Sequence, residues 1–158
     1  MLMKTKILDC TLRDGGYYTN WDFSSEVVKT YIETTNKLPV DYLEVGYRNK
    51  PTKEYMGKFG YTPVSILKKL RKSSNKKLAV MLNEKSTLPE DLDELLTPIK
   101  GLADMVRLAV DPKNFERAVV LAKAVKAMGF EVAFNTMYMS KWSTEYKGFL
   151  DNLSEING

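Results

Sequence analysis

The chain has 158 residues, 44% of them hydrophobic, which is enough for one globular core and too apolar for a disordered segment. Its net charge of +4 is a mild excess. The basic cluster Lys68, Lys69, Arg71, Lys72, Lys76 and Lys77 reads as the wet face of a surface helix, without a nucleic-acid-binding motif beside it. The single cysteine excludes an internal disulfide and a cysteine zinc cluster. No apolar run approaches the roughly 20 residues of a membrane span. The start, Met1-Leu2-Met3-Lys4, lacks a secretory core. A soluble, cytoplasmic protein is expected, with no nucleic acid and no membrane among its partners.

Strand and helix signals then alternate along the chain. Residues 7–12 are expected as a first strand. Ser24 or Ser25 caps a helix carrying Val27, Val28, Tyr31 and Ile32 on one side. Residues 41–46 form a second strand, and Thr62-Pro63 starts a helix through about residue 72. Residues 78–82 are a third strand, followed by an acidic helix that Pro89 opens and that runs over 90–100. Residues 105–110 are a fourth strand. Asp111-Pro112 starts a helix that Gly129 stops, with Phe115, Ala118, Val119, Ala122, Val125 and Met128 at helical spacing. Residues 130–136 are a fifth strand, and 145–156 a last helix.

Five β/α units in succession imply a parallel sheet with right-handed crossovers, and the near-continuously apolar strands fit a sheet covered on both faces. Two architectures suit five units. One is a doubly wound sheet of flavodoxin type. The other is the first five units of a TIM-type (β/α)8 barrel, an α/β fold that typically needs about 250 residues. The loop after the first strand is Leu12-Arg13-Asp14-Gly15-Gly16, not a hydroxyl-rich phosphate loop. Asn83, not an aspartate, ends the third strand, so a response-regulator site is not present either. The partial barrel is the expected fold, as a single domain over 1–158 that stops in mid-fold.

Arg13 and Asp14 are expected at the carboxyl end of a strand, the rim where α/β proteins bind ligands. A cation beside an anion suits a site that holds a divalent metal and an anionic substrate together. The run Thr11-Leu12-Arg13-Asp14-Gly15-Gly16 closely resembles the opening motif of the metal-dependent aldolase and lyase barrels. These include 4-hydroxy-2-oxovalerate aldolase, 3-hydroxy-3-methylglutaryl-CoA lyase, and the isopropylmalate and homocitrate synthases. Tyr42-Leu43-Glu44-Val45-Gly46 is similar to the second strand of that family. The resemblance implies a metal-binding role for Asp14, a catalytic role for Arg13 and a catalytic role for Glu44, with manganese or magnesium as cofactor. It also implies cleavage of a small 2-oxo acid to an enolate of pyruvate. An arginine suits the developing oxyanion, being always charged and rich in donors, and Glu44 would orient it.

Two departures stand beside the match. The family carries a histidine base three residues after the aspartate, where this chain has Tyr17. A tyrosine, with an ordinary pKa near 10, serves better as an acid or hydrogen-bond donor than as a base. The family's remaining metal ligands are a His-x-His pair on a late strand, and this chain has no histidine at all. Either the chain is the front part of a longer protein, or the metal site has been lost and the barrel binds a ligand or partner without chemistry.

Asn83, Arg107 and Asn135 lie on or just after the third to fifth strands, polar among apolar neighbours, and are expected to contact substrate or bond neighbouring strands. Asp9 is a structural or supporting acceptor, and Cys10 a small core residue. Tyr17, Tyr18 and Trp21 form an aromatic loop that packs beneath the first helix or covers the site. Open sheet edges would recruit other chains, so a homo-oligomer or self-association is expected.

Overall fold

The computed structural model describes residues 5–146, 148, 149, 151 and 153. Among them, five parallel strands pair in chain order: β1 (Leu8–Asp9), β2 (Tyr42–Tyr47), β3 (Lys77–Asn83), β4 (Met105–Val110) and β5 (Glu131–Thr136). A flavodoxin-type sheet would instead place the first strand inside the order. The sequential order removes that alternative. The sheet is curled into a half-barrel. In a flat sheet β2 and β5 would lie about 14 Å apart, three strand spacings. Yet the Tyr42 hydroxyl donates to Glu131 Oε2 at 2.5 Å across the concave side.

Alternation along the strands sorts the two faces. Leu43 and Val45, then Leu78, Val80 and Leu82, then Val106, Leu108 and Val110 point outward. They share one core with Ile32, Leu67, Leu70, Leu121 and Val125 of the surrounding helices. The concave side carries Glu44, Met81, Arg107 and Ala109 instead, and only a small apolar cluster of Tyr47, Met81 and Ala109. Helices thus cover one face, as in a barrel wall.

The expected first strand is shorter than 7–12. The chain leaves β1 after Asp9 and enters α1 (Thr11–Thr19). The Asp9 carboxylate accepts from the Thr11 N–H at 3.0 Å and the Thr11 hydroxyl at 3.2 Å, which draws the backbone out of the extended form. Arg13 and Asp14 therefore lie in the first turn of a helix, and Gly15 and Gly16 are helical instead of forming a turn. Asn20 and Trp21 then take left-handed backbone, with φ of 51° and 56°. This folds the Trp21 ring back onto Gly16, where a Cβ would stand 2.0 Å from Trp21 Cδ1. The Trp21 indole N–H donates to the Arg13 carbonyl at 2.8 Å.

The other elements follow the expected order with local corrections. Ser24 caps α2 (Ser25–Thr35) by accepting from the Val27 N–H, but Val27 itself faces solvent. A short α3 (Lys58–Tyr61), not expected from the sequence, precedes α4 (Val64–Ser73). Its backbone lies on Gly46, where a Cβ would meet the Phe59 carbonyl oxygen at 2.1 Å. The acidic helix over 90–100 is broken: α5 spans only Leu92–Leu96, between 3-10 turns at Pro89–Asp91 and Thr97–Ile99. Pro98 has no N–H to continue it. Asp111 accepts from the Lys113 N–H ahead of α6 (Phe115–Ala127), and Gly129, at φ 95°, ends that helix. Its buried stripe is Phe115, Ala118, Leu121 and Val125; Leu121 replaces the expected Val119 and Ala122 at its centre. The helix expected over 145–156 falls largely outside the described residues. Phe149 within it is buried and stacks edge-on against Phe115 and Trp142.

At the amino-terminal end of the concave face, Lys77 pairs with Glu131, which also holds Tyr42. Burial alone would raise the Glu131 carboxyl, but Lys77 and Tyr42 outweigh it and hold it below the usual glutamate value. A carboxyl depressed in the folded state adds stability above its unfolded pKa, about 4.3, and loses it as pH falls through the folded value. The stability gap between wild type and Glu131→Gln is therefore full at about pH 6 and closes toward about pH 2, read by urea unfolding across pH. The two glycines of α1 separate cleanly. Gly16→Ala costs about 1–3 kcal/mol through the Trp21 clash. Gly15→Ala, whose Cβ would meet only Phe23 Cζ at 4.0 Å, is neutral or stabilises by about 0.5–1 kcal/mol. Thermal or urea unfolding of the two variants reads the difference.

Candidate active site

Glu44 is wholly buried on the concave side of β2. Arg13 Nε donates to its Oε1 at 2.7 Å from α1. Arg107, on β4, donates through Nε to Oε2 at 2.6 Å and through Nη2 to Oε1 at 3.0 Å. The partners are 31 and 63 residues from Glu44 in sequence. Arg13 Nη1 then donates to Asp14 Oδ1 at 2.7 Å. Four charges of alternating sign thus form one chain, Arg107–Glu44–Arg13–Asp14, of zero net charge.

Burial separates their roles. The side chains of Glu44, Arg13 and Arg107 are 0%, 10% and 17% exposed, while Asp14 is 66% exposed on the rim. Burial alone would lower the Arg13 pKa, but the bond to Glu44 more than reverses this, and the guanidinium is held as a cation. Charge-assisted bonds of this length are the strong kind. The cluster is stable only as a set, because a buried ion without its partner costs several kcal/mol.

Tyr17 stands beside this cluster. Its hydroxyl lies 2.8 Å from the Tyr47 hydroxyl, and Trp21 meets both rings edge-on at 4.8 and 5.7 Å. Tyr47 is buried and Tyr17 is 61% exposed. Burial first, and then the bond with Tyr17, push the Tyr47 phenol well above its ordinary value, against an opposing pull from Arg13. Tyr47 is thus a neutral phenol at physiological pH. Sequence reasoning missed it, since strict alternation from Glu44 would turn residue 47 outward. A register irregularity between Glu44 and Gly46 brings it onto the concave side, and the one sequence signal for it is Gly46 itself, since a glycine inside a strand often marks a bulge.

The remaining expected site residues disperse. Arg107 joins the charge cluster. Asn83 ends β3 in the wall of a neighbouring cavity, its N–H bonded to Asn49 Oδ1 at 3.2 Å. Asn135 sits in register with Ala109 on the concave side of β5, and no hydrogen bond links it to Glu44 or either arginine. Asp9 accepts from Thr11 and from the Tyr31 hydroxyl at 2.5 Å, a structural role. Cys10 is half-buried. Tyr18 is 93% exposed and packs beneath nothing.

The donors among the described residues do not make a divalent-cation site by themselves. Both oxygens of Glu44 are taken by guanidinium groups, and Asp14 is a single carboxylate bonded to Arg13. Among the described residues no three His, Cys, Asp or Glu side chains converge, and the whole sequence lacks histidine.

No protein-family model matches the chain, and no curated protein sequence does. A solved structure matches it closely: a crystal structure described as "the N-terminal domain of a putative aldolase from Bacteroides vulgatus". The two are 70% identical, with a TM-score of 0.92 over 96% of this chain. The chain spans 50% of that neighbour's length. Among the described residues, no helix is long and apolar enough to cross a membrane.

The charge cluster predicts an asymmetric response to substitution. Glu44→Gln leaves two buried guanidinium groups facing a neutral amide and costs about 3–5 kcal/mol, measured by urea unfolding. Asp14→Asn, on the exposed rim, changes stability by less than about 1 kcal/mol.

Proposed function

We propose that this half-barrel carries the enolate-stabilising part of an aldolase-type carbon–carbon lyase acting on a small 2-oxo acid. The observation that supports it most is the buried Arg107–Glu44–Arg13–Asp14 chain, which aims a fixed cation at the rim beside an exposed carboxylate. The description of the 70% identical neighbour as the N-terminal domain of a "putative aldolase" supports the same class. The half-barrel would be the first five units of an eight-stranded barrel, with an open β5 edge through which chains associate.

In the reaction, the C4 hydroxyl of a 4-hydroxy-2-oxo acid passes its proton to solvent at the rim and the C3–C4 bond breaks. The electron pair moves onto the C2 oxygen, leaving the enolate of pyruvate and an aldehyde. The enolate is then reprotonated at C3. Arg13 bonds the C2 oxygen as charge develops there, and Glu44 and Arg107 keep its fork from turning. Such preorganised donors are worth several kcal/mol in a water-poor site. Tyr17, hydrogen-bonded to the neutral Tyr47, is the proton donor at the rim. Asn83 and Asn135 line the approach for the rest of the substrate. The resemblance also implies manganese or magnesium, for which Asp14 is a rim carboxylate. This chain's residues do not complete such a site, and the oxyanion is assigned to the arginines.

The assay is pyruvate release from 4-hydroxy-2-oxo acids by the full-length protein with manganese added. Arg13→Lys keeps the charge but loses the fork, and lowers kcat about 10²–10³-fold with an unchanged circular dichroism spectrum. Absence of turnover with every such acid overturns the reading. The pairing of both Glu44 oxygens with guanidinium groups favours a second one, a half-barrel that binds a ligand or partner without chemistry. It requires calorimetric binding of a 2-oxo acid with no pyruvate released.

A further inference from the structure

Beside the charge cluster, at the carboxyl ends of β3 and β4, lies a cavity of about 470 Å³, within the range of small-molecule sites. Its wall includes Asn83, Glu84, Ser86, Asp111 and Asn114, with Ala109 on the concave face of β4. Lys85 completes the polar part of the wall, and Met137 and Tyr138 add an apolar part beside Ala109; a pocket for an alkyl or acyl chain would present leucine, valine or phenylalanine where the amides, hydroxyl and carboxylates stand. We propose that the half of the substrate released as aldehyde is a polyhydroxylated chain, so that the substrate class is the 2-oxo-3-deoxy sugar acids. This rests on the lyase reading above and names what that site accepts.

Three observations carry it. First, the cavity is placed to receive the far end of a substrate held at Arg13 and Arg107. Ala109 stands two residues beyond Arg107 on the same strand face, roughly 6.6 Å along β4, the span of a few carbon–carbon bonds. Second, the wall is fixed from behind by a buried carboxylate. Glu84 is 1% exposed. Its Oε2 accepts from Asn114 Nδ2 at 3.3 Å. Its Oε1 lies 2.8 Å from Arg117 Nε but outside hydrogen-bonding geometry, so this buried oxygen has an ion-pair neighbour and no donor. With no accessible surface, this oxygen is paired from the α6 side and holds the wall in place without meeting a ligand. Third, the side-chain amide of Asn83 has no hydrogen bond among the described residues, although its backbone N–H is engaged by Asn49. An alkyl tail in this cavity would leave these groups desolvated and unpaired, which is costly, whereas hydroxyls at C5 and C6 supply both donors and acceptors.

The experiment compares kcat/KM of the full-length protein for 4-hydroxy-2-oxopentanoate and for 2-oxo-3-deoxyhexonate, reading pyruvate release with lactate dehydrogenase. A preference of at least about 10-fold for the hexonate is expected, because a site built to bond hydroxyls rejects analogues that lack them. Asn83→Leu, similar in size and unable to hydrogen-bond, lowers the hexonate-to-pentanoate ratio at least about fivefold. Equal use of the two acids, a preference for the pentanoate, or an unchanged ratio in Asn83→Leu overturns the assignment while leaving the lyase reading in place. If neither acid is cleaved, the lyase reading falls, and titration calorimetry with the same two acids decides the cavity. Tighter binding of the hexonate that Asn83→Leu abolishes upholds it, and equal or absent binding overturns it.

Discussion

A carboxylate with no access to water organises this molecule. Glu44 is fully enclosed by the half-barrel wall, and an isolated charge there would not survive folding. It is compensated from two sides at once, by Arg13 from the helix at the rim and by Arg107 from β4. Each pairing fixes geometry elsewhere. The Arg107 contact bridges β2 and β4 across the concave side of β3. The Arg13 contact anchors α1, which is otherwise an inserted helix with no apolar stripe of its own beyond Leu12. Trp21, folded back on Gly16 and bonded to the Arg13 carbonyl, closes the same joint from the solvent side. Buried ion clusters are not efficient sources of stability. What this one contributes is placement: a guanidinium held rigid at a rim where ligands bind.

That placement connects the fold to a chemistry. A developing enolate needs positive charge that is already oriented, because reorienting a solvated side chain during the reaction would cost much of what the charge returns. In the proposed reaction Arg13 would meet this requirement, since Glu44 holds it and Arg107 in turn holds Glu44. The tyrosine pair adds neutral hydroxyls beside the cation, with Tyr47 held in its protonated form by burial and by its neighbour. The polar cavity at the ends of β3 and β4 extends the same surface outward. On the proposed reading, anion stabilisation near the wall and hydroxyl recognition farther out would lie along one line of β4, from Arg107 to Ala109.

Much of this was legible in the residues. Five strands announced themselves as short apolar runs separated by helical spacing, and their parallel pairing followed from the β/α alternation, while their sequential order did not, since a doubly wound sheet shows the same alternation. The Arg13-Asp14 pair and Glu44 were marked by being charged where their neighbours are apolar. The short α3 was not legible, because four residues with two aromatics and a glycine carry no helical period. Nor was the true length of β1. Residues 7–12 read as a strand by propensity, and a local Asp9–Thr11 capping interaction overrides that propensity after two residues. Arg107 was seen as polar and inward, but its partner was not, since nothing links positions 44 and 107 until the sheet curls.

The sequence by itself determined which segments are strands, which residues carry charge into an apolar wall, and that a rim motif of arginine and aspartate stands beside a glutamate-bearing strand. These are properties of local spacing and side-chain chemistry. Only the tertiary structure decided that the sheet bends far enough for non-adjacent strands to touch. It also decided that Glu44 takes two cations and not one, and that a slipped register turns Tyr47 inward. The physical reason is that curvature and register are set by packing summed over the whole sheet, while sequence patterns report one element at a time.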